Sequence, residues 1–489
     1  MKQSSIDLFG HWIRKADWKE VFEAENIDDK TELFQNKLLE KVDEFFPQKI
    51  REISSNDQPF CTEEIKHLKR LKSREYRKNR KSVKWRDLSK QYEKAVKKAK
   101  KMFYKKAVKD LKQSNVAQWY SKLKRLCSYD QHKNEPIVVE SLKDLSDKEQ
   151  AERIADKFAK VSQEYDPLKT EDIQIPAFDK STIPEFSSKQ VEKHLKQVKV
   201  NKAVPPGDIP PQLIKLFAKE LSTPFCHIIN SSMKCGVWGK IYKSESVTPV
   251  PKVYPPQTVD DLRNISGLLT FNKIAEKMIA EVIVSDMKKK LDPSQYANQK
   301  EISLQHYLVK MIHQILTDTD NNSGGEVNAV LATLYDWKEA FPRQCPKLGV
   351  KAFMECGVRS SLIPLIINYL QGRTMKVKWH GQTSTKRDLN GGGPQGATFG
   401  IWEYLAQSNS NANCVSQNRR FKFVDDLTTL EKINLLIVGL TSFNTKQSVP
   451  NDIPESNQYI PGNNLKSQEY LLKIKEWTDK QKMILNEQD

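Results

Sequence analysis

Asp425 and Asp426 stand side by side after the apolar residues Phe423 and Val424, with Leu427 following. Two carboxylates in so small a space repel each other unless something positive neutralises them. A hard divalent cation is the usual answer, because magnesium and calcium take carboxylate oxygens. Two such ions can activate an attacking hydroxyl and stabilise a leaving phosphate. A third carboxylate, Asp336, closes the run Val327-Asn328-Ala329-Val330-Leu331-Ala332-Thr333-Leu334-Tyr335. That nearly continuous apolar run reads as a strand buried on both faces. A charge emerging at its end is costly unless it is paired or bound to metal. Taken singly, Asp336 also fits a strand-end cap, and Asp425-Asp426 an acidic turn.

The elements between these acids sharpen the pattern. Trp337-Lys338-Glu339-Ala340-Phe341 follows Asp336 and brings an aromatic ring near it. Met375-Lys376-Val377-Lys378-Trp379-His380 alternates apolar and polar residues, which predicts a half-buried strand. Asn390-Gly391-Gly392-Gly393-Pro394-Gln395-Gly396-Ala397 comes next, a loop whose missing Cβ atoms let a ligand approach the backbone.

In this order the three elements resemble the palm of reverse transcriptases from non-LTR (LINE-type) retrotransposons. Asp336 to Phe341 is similar to the first palm motif, Gly393-Pro394-Gln395-Gly396 to the second and Phe423-Val424-Asp425-Asp426 to the third. Upstream, Asn201-Lys202-Ala203 with Gly207-Asp208-Ile209-Pro210-Pro211 is similar to the opening motif of that family. Val247-Thr248-Pro249-Val250-Pro251-Lys252 and Leu262-Arg263-Asn264-Ile265-Ser266 are similar to its two fingers motifs. Trp477 with Met483-Ile484-Leu485-Asn486 resembles the motif after the catalytic pair.

The resemblance implies an α+β fold: right-hand polymerase fingers and palm with an antiparallel palm sheet, preceded by a basic helical region. It implies that Asp336, Asp425 and Asp426 hold two Mg²⁺ ions, with Mn²⁺ as a substitute. Phe341 would exclude a ribose 2′-hydroxyl, and Gln395 would touch the incoming nucleotide or the template-primer. Lys252 and Arg263 would clamp the triphosphate, a task suited to a point charge and a planar fork. The implied partners are an RNA template, a DNA primer and deoxynucleoside triphosphates, with endonuclease and thumb as further segments of the same element. The implied activity is RNA-directed DNA polymerisation; the alternative is a catalytically silent RNA-binding remnant.

The chain also departs from the family pattern. Pro205-Pro206-Gly207-Asp208 stands where Gly-Pro-Asp-Gly is usual. Asn264 follows Arg263 in place of proline, and Pro342 follows Phe341 in place of aspartate. Tyr296-Ala297-Asn298-Gln299-Lys300-Glu301 stands where a Gly-Phe-Arg type sequence follows Gln295. The sequence stops at Glu487-Gln488-Asp489, where the family continues toward a thumb, so a fingers-palm portion or a decayed copy is expected.

Charge separates a second region. Residues 66–112 carry 21 Lys or Arg against 4 Asp or Glu, nearly the whole formal net charge of +18. Tyr76, Trp85, Tyr92, Phe103 and Tyr104 are interleaved, and apolar residues from Leu88 to Phe103 recur at helical spacing. This predicts a long basic amphipathic helix able to track a phosphate backbone and stack on bases. The expected organisation is a basic helical region over 1–165, a linker over 166–186, fingers over 187–320 and palm over 321–489. Ser187 offers an N-cap for a helix to about residue 198. Further helices are predicted at about 148–163, 347–357 and 362–372, the last two stopped by glycine, with a turn at 321–325 and a loop at 449–462. No apolar run is long enough to span a membrane. Residues 1–7 lack the apolar core of a secretory signal, and the seven cysteines are scattered. An intracellular protein of nucleus or cytoplasm, with no membrane partner, is the expectation.

Overall fold

The structure is a computed structural model that describes residues 1–47, 60–79, 82–114, 137–202, 204–320, 327–435 and 466–484. The turn read at 321–325, the loop read at 449–462, and Ala203, Leu485 and Asn486 lie outside the described residues. By its contacts the chain forms two units, Met1–Pro47 with Val138–Asp489, and Gln48–Ile137.

The smaller unit has two described helices, Glu63–Lys78 and Val83–Ser114, and the second contains the stretch from Leu88 to Phe103 whose spacing predicts a long helix. Thr62 caps the first, its hydroxyl accepting from the Ile65 amide, and acidic residues fill the first turn while Arg77 and Lys78 fill the last. Both charge placements favour the helix dipole. The aromatics also have partners inside the unit: Lys72 lies over the rings of Trp85 and Tyr92, at 5.7 and 5.2 Å.

In the larger unit, an aromatic cluster joins the N-terminal helices to the rest. Phe34 of helix Ile27–Phe45 packs on Phe225 of helix Ala218–Cys235 and Phe271 of helix Thr270–Met287, centroids 5.9 and 4.9 Å away. Burying each such ring contributes about 1.5–3 kcal/mol. Residues 1–47 therefore share a core with residues expected to be fingers, rather than grouping with the basic segment inside 1–165. The proline-rich stretch 166–186 is likewise held, with Leu168 and Ile173 buried in the same core.

Two sheets position the acids and the loop between them. The first runs β2 (Leu262–Gly267), β1 (Ser244–Pro251), β4 (Arg373–Trp379) and β5 (Gln382–Thr383), with β6 (Arg387–Leu389) also on β4. It is mixed, since β1 pairs antiparallel with β2 and parallel with β4. The alternation read at 375–380 is present in β4, with Met375, Val377 and Trp379 buried and both lysines exposed. The second sheet is antiparallel throughout, in the order β3 (Val327–Tyr335), β8 (Asp426–Leu435), β7 (Arg420–Phe423). Here the expectation of a doubly buried β3 needs correction. Leu331 is 37% and Leu334 77% exposed; three residues apart, they lie on opposite faces, so neither face of β3 is fully covered.

Helices predicted at 148–163, 188–198, 347–357 and 362–372 are found as Asp147–Ser162, Ser188–Lys196, Pro346–Glu355 and Ile363–Leu370. Gly357 and Gly372 follow the last two with φ of +90° and +60°, the left-handed cap that glycine adopts without steric cost.

Candidate active site

Strand register brings the three carboxylates to one end of the second sheet. Phe423 pairs with Asp426, so Val424 and Asp425 form the two-residue tip of the β7–β8 hairpin. On the other side of β8, Tyr335 pairs with Leu427, which carries Asp336 past the end of β3 beside Asp426. Burial first, and then the charges of Asp426 and Asp336, raise the Asp425 carboxyl above the ordinary range, partly offset by a backbone hydrogen bond. Burial and Asp336 raise Asp426 in the same sense. Tyr404, fully buried beneath them, is raised by burial and by all three carboxylates. The three acids are thus electrostatic neighbours. They are not yet a closed cage: among the described residues no three His, Cys, Asp or Glu side chains are grouped as a ready metal site. The two observations are compatible, since repulsion acts over longer distances than ligation.

The donor set suits a hard cation. Three carboxylates at one sheet end, with at least two held above their usual pKa by burial and mutual repulsion, gain most from a divalent ion that takes oxygen ligands. Magnesium keeps several waters and needs only one or two carboxylates, so a closed protein cage is not required.

A cleft of about 740 Å³ opens beside these acids. Its walls include Asp336, Asp425, Lys252, Arg263, Phe341 and Gln395, six of the seven residues named from the sequence; Asp426 is not among them. Lys252 follows β1, where its amide bonds Asp261 O at 2.7 Å and its Nζ donates to Asp260 O at 2.9 Å. Arg263 is exposed on β2. Phe341 rests its ring on Tyr404, centroids 5.4 Å apart. Gln395 is tied to β2 through its carbonyl, which accepts from the Ser266 amide at 3.0 Å.

The glycines of the loop at 390–397 serve packing in this structure. A Cβ on Gly392, at φ +81°, would meet Pro342 O at 2.7 Å, and one on Gly391 would enter the Tyr165 ring. Gly392 N and Gly393 N donate to Gln344 O and Phe341 O at 2.8 and 3.1 Å, lacing the loop to the residues after Asp336. The missing Cβ atoms, expected to admit a ligand, instead make room for the protein's own backbone and side chains at these positions.

Several residues in the cleft went unmarked in the sequence. Lys157, Phe158 and Lys160 of helix Asp147–Ser162 line it, and Lys157 pairs with Asp260. Arg343, also in the wall, pairs with Glu164 at 3.0 Å. The apolar face of that helix was visible in its periodicity, but nothing in its spacing tells which lysines meet a site more than ninety residues away. Behind Asp336, Trp337 packs edge-on against Trp477 of helix Lys466–Gln481 at 5.6 Å, and Lys338 N donates to Ile484 O at 2.9 Å.

No family model matches the chain. Over 177 residues it is 28% identical to a curated protein of Drosophila melanogaster named "Probable RNA-directed DNA polymerase from transposon X-element". The match covers 36% of this chain and 18% of that relative. The chain therefore has a distant and partial relationship to a transposon polymerase of this kind.

Proposed function

We propose that this chain is the fingers-palm portion of a non-LTR retrotransposon reverse transcriptase, and that the cleft beside Asp336 and Asp425 is where it transfers nucleotides to a primer. The observation that carries the reading is the gathering of Asp336, Asp425, Phe341, Gln395, Lys252 and Arg263 around one cleft from five separate stretches of sequence. The partial likeness to a protein named as a transposon RNA-directed DNA polymerase supports it.

In this reading Asp336 and Asp425 would hold two Mg²⁺ ions, with Asp426 orienting or weakly binding them. Such ions would supply a lowered pKa for a primer 3′-hydroxyl and charge stabilisation for a leaving pyrophosphate. Lys252 and Arg263 hold the triphosphate on the opposite wall, and Lys157 and Lys160 extend that cationic surface. Phe341, backed by Tyr404, sets the floor beneath the sugar. Gln395, on the loop laced to Phe341, positions the base pair end. The template would be RNA, the primer DNA and the substrates deoxynucleoside triphosphates. The basic helices of the smaller unit would supply salt-sensitive contacts to phosphates.

Primer extension on an RNA template with deoxynucleotides and magnesium tests this. Incorporation that falls by on the order of a thousandfold in an Asp425→Ala, Asp426→Ala double variant is the expected result. No incorporation by the wild-type chain, with salt-sensitive RNA binding kept by both proteins, would replace it with the silent RNA-binding remnant. The unclosed carboxylate group is the feature that favours that second reading.

A further inference from the structure

The tip of the β7–β8 hairpin holds an unusual backbone. Val424 has φ of +59°, a left-handed conformation that crowds a branched Cβ and that valine rarely adopts. Two-residue hairpin tips call for such angles and normally meet them with glycine or asparagine. Valine keeps this angle only where surrounding contacts hold it there.

Val424 packs against the hydrophobic core, and one side chain bonds its backbone. Gln295, 4% exposed, reaches the tip from a separate stretch of chain. Its Oε1 accepts from Val424 N at 3.0 Å, and its Nε2 donates to Val424 O at 3.2 Å. The amide thus grips both polar groups of the strained residue, and its Oε1 also accepts from Ala297 N at 3.0 Å. The stretch bearing Gln295 is itself fixed along β7. Lys422 N donates to Ser294 O and Tyr296 N donates to Lys422 O, both at 2.9 Å, with a parallel bridge between Gln295 and Lys422. Asp292, just before it, holds Arg420 and Lys422 of β7 at 2.8 and 2.9 Å. Gln295 therefore sits on a frame registered to the strand whose tip it holds.

We propose that Gln295 is a positioning residue for the reaction, a side-chain clamp that keeps Val424 in its left-handed conformation and so aims Asp425 at the cleft, with Asp426 beside it. This rests on the polymerase reading for its consequence and on the hydrogen bonds alone for its geometry. It gives Gln295 a task independent of the Gly-Phe-Arg type sequence missing after it. Glycine at 424 would take the same backbone angle without a clamp, so the clamp should become dispensable there.

The test uses the full chain as wild type, Gln295→Ala, Val424→Gly and the double variant. Single-nucleotide extension is followed across magnesium concentrations, and amide hydrogen exchange at residue 424 is read in the same proteins. Loss of two part-buried hydrogen bonds at the tip should slow extension by Gln295→Ala roughly tenfold or more. It should also raise the magnesium needed for half-maximal rate, leave the deoxynucleotide KM largely unchanged and speed exchange at Val424. The double variant should recover to within about threefold of Val424→Gly alone, since glycine needs no clamp. A double variant as slow as Gln295→Ala overturns the proposal, as does unaltered exchange at Val424 in Gln295→Ala. A wild-type chain that extends no primer contradicts the polymerase reading alone, and exchange at Val424 then still decides for or against the clamp.

Discussion

Asp292 and Asp425 are the same residue type, one paired with side chains of β7 and the other at the tip that follows it, and they are electrostatic opposites. Asp292 has a fully buried side chain, and burial by itself would raise its pKa; Arg420 and Lys422 reverse that and hold it well below the ordinary carboxylate range. Asp425 is held above that range by burial and by Asp426 and Asp336. One carboxylate has its cations built into the fold, and the other faces a cleft among like charges. Glu403 is a third case: it is buried, neither of its oxygens has a hydrogen-bond partner among the described residues, and its carboxyl is pushed up to about 8. It solves the same desolvation problem by staying protonated. Built-in cations and a retained proton are two answers to one physical problem; under the proposed function an external cation at Asp425 would be a third.

The comparison can be broken first at Asp292. Asp292→Ala leaves Arg420 and Lys422 buried without a counter-charge and should cost about 3–5 kcal/mol in a denaturant unfolding experiment. Asp425→Asn should cost no stability and raise it if anything, because it removes repulsion. Equal losses at the two positions would mean that Asp425 is as structural as Asp292.

The next largest effect is expected at Glu403. Its folded pKa of about 8 lies above the ordinary value of 4.5, so its contribution to stability is full below pH 4.5 and is lost as pH rises to 8. Each tenfold difference in proton affinity between the folded and unfolded chain corresponds to about 1.4 kcal/mol, an upper bound for a group that relaxes. Glu403→Gln should flatten that decline, and unfolding curves at acid and alkaline pH would show it. A parallel pH dependence in both proteins would mean that Glu403 ionises within the fold.

A smaller effect tests the coupling at the site. Asp336→Asn removes a like charge and should lower the Asp425 pKa in metal-free protein, read by carboxyl carbon NMR titration. An unmoved Asp425 would separate the two acids. The smallest effect belongs to Lys157 and Asp260, whose side chains are 35% and 69% exposed. Lys157→Met should change stability by less than about 1 kcal/mol, as for most exposed pairs.

Local periodicity carried much of the fold. The alternation in β4, the capped helix after Ser187 and the glycine-stopped helices at 346–355 and 363–370 were legible because each is a short-range pattern with a steric or hydrogen-bonding cause. The residues of the cleft were legible as types and order, since Asp336, Asp425 and Asp426 each follow an apolar strand. Coverage was not legible. The run in β3 is as apolar as a central strand, yet Leu331 and Leu334 on its opposite faces are both exposed, because burial depends on what packs against the strand and not on its own residues. Nor did the sequence show that residues 1–47 join the larger core, or that Lys157 and Lys160 reach the cleft, since both depend on contacts across the chain. Gln295 was visible as a residue, but its grip on Val424 depends on a backbone angle that no spacing reveals.

The most direct measurement is anomalous diffraction from crystals of the full chain grown with Mn²⁺ and a non-reacting deoxynucleotide analogue. Two peaks between Asp336 and Asp425, with the triphosphate reaching Lys252 and Arg263, are the predicted result. Manganese bound elsewhere, or a cleft that takes nucleotide without metal at the three carboxylates, would contradict the account.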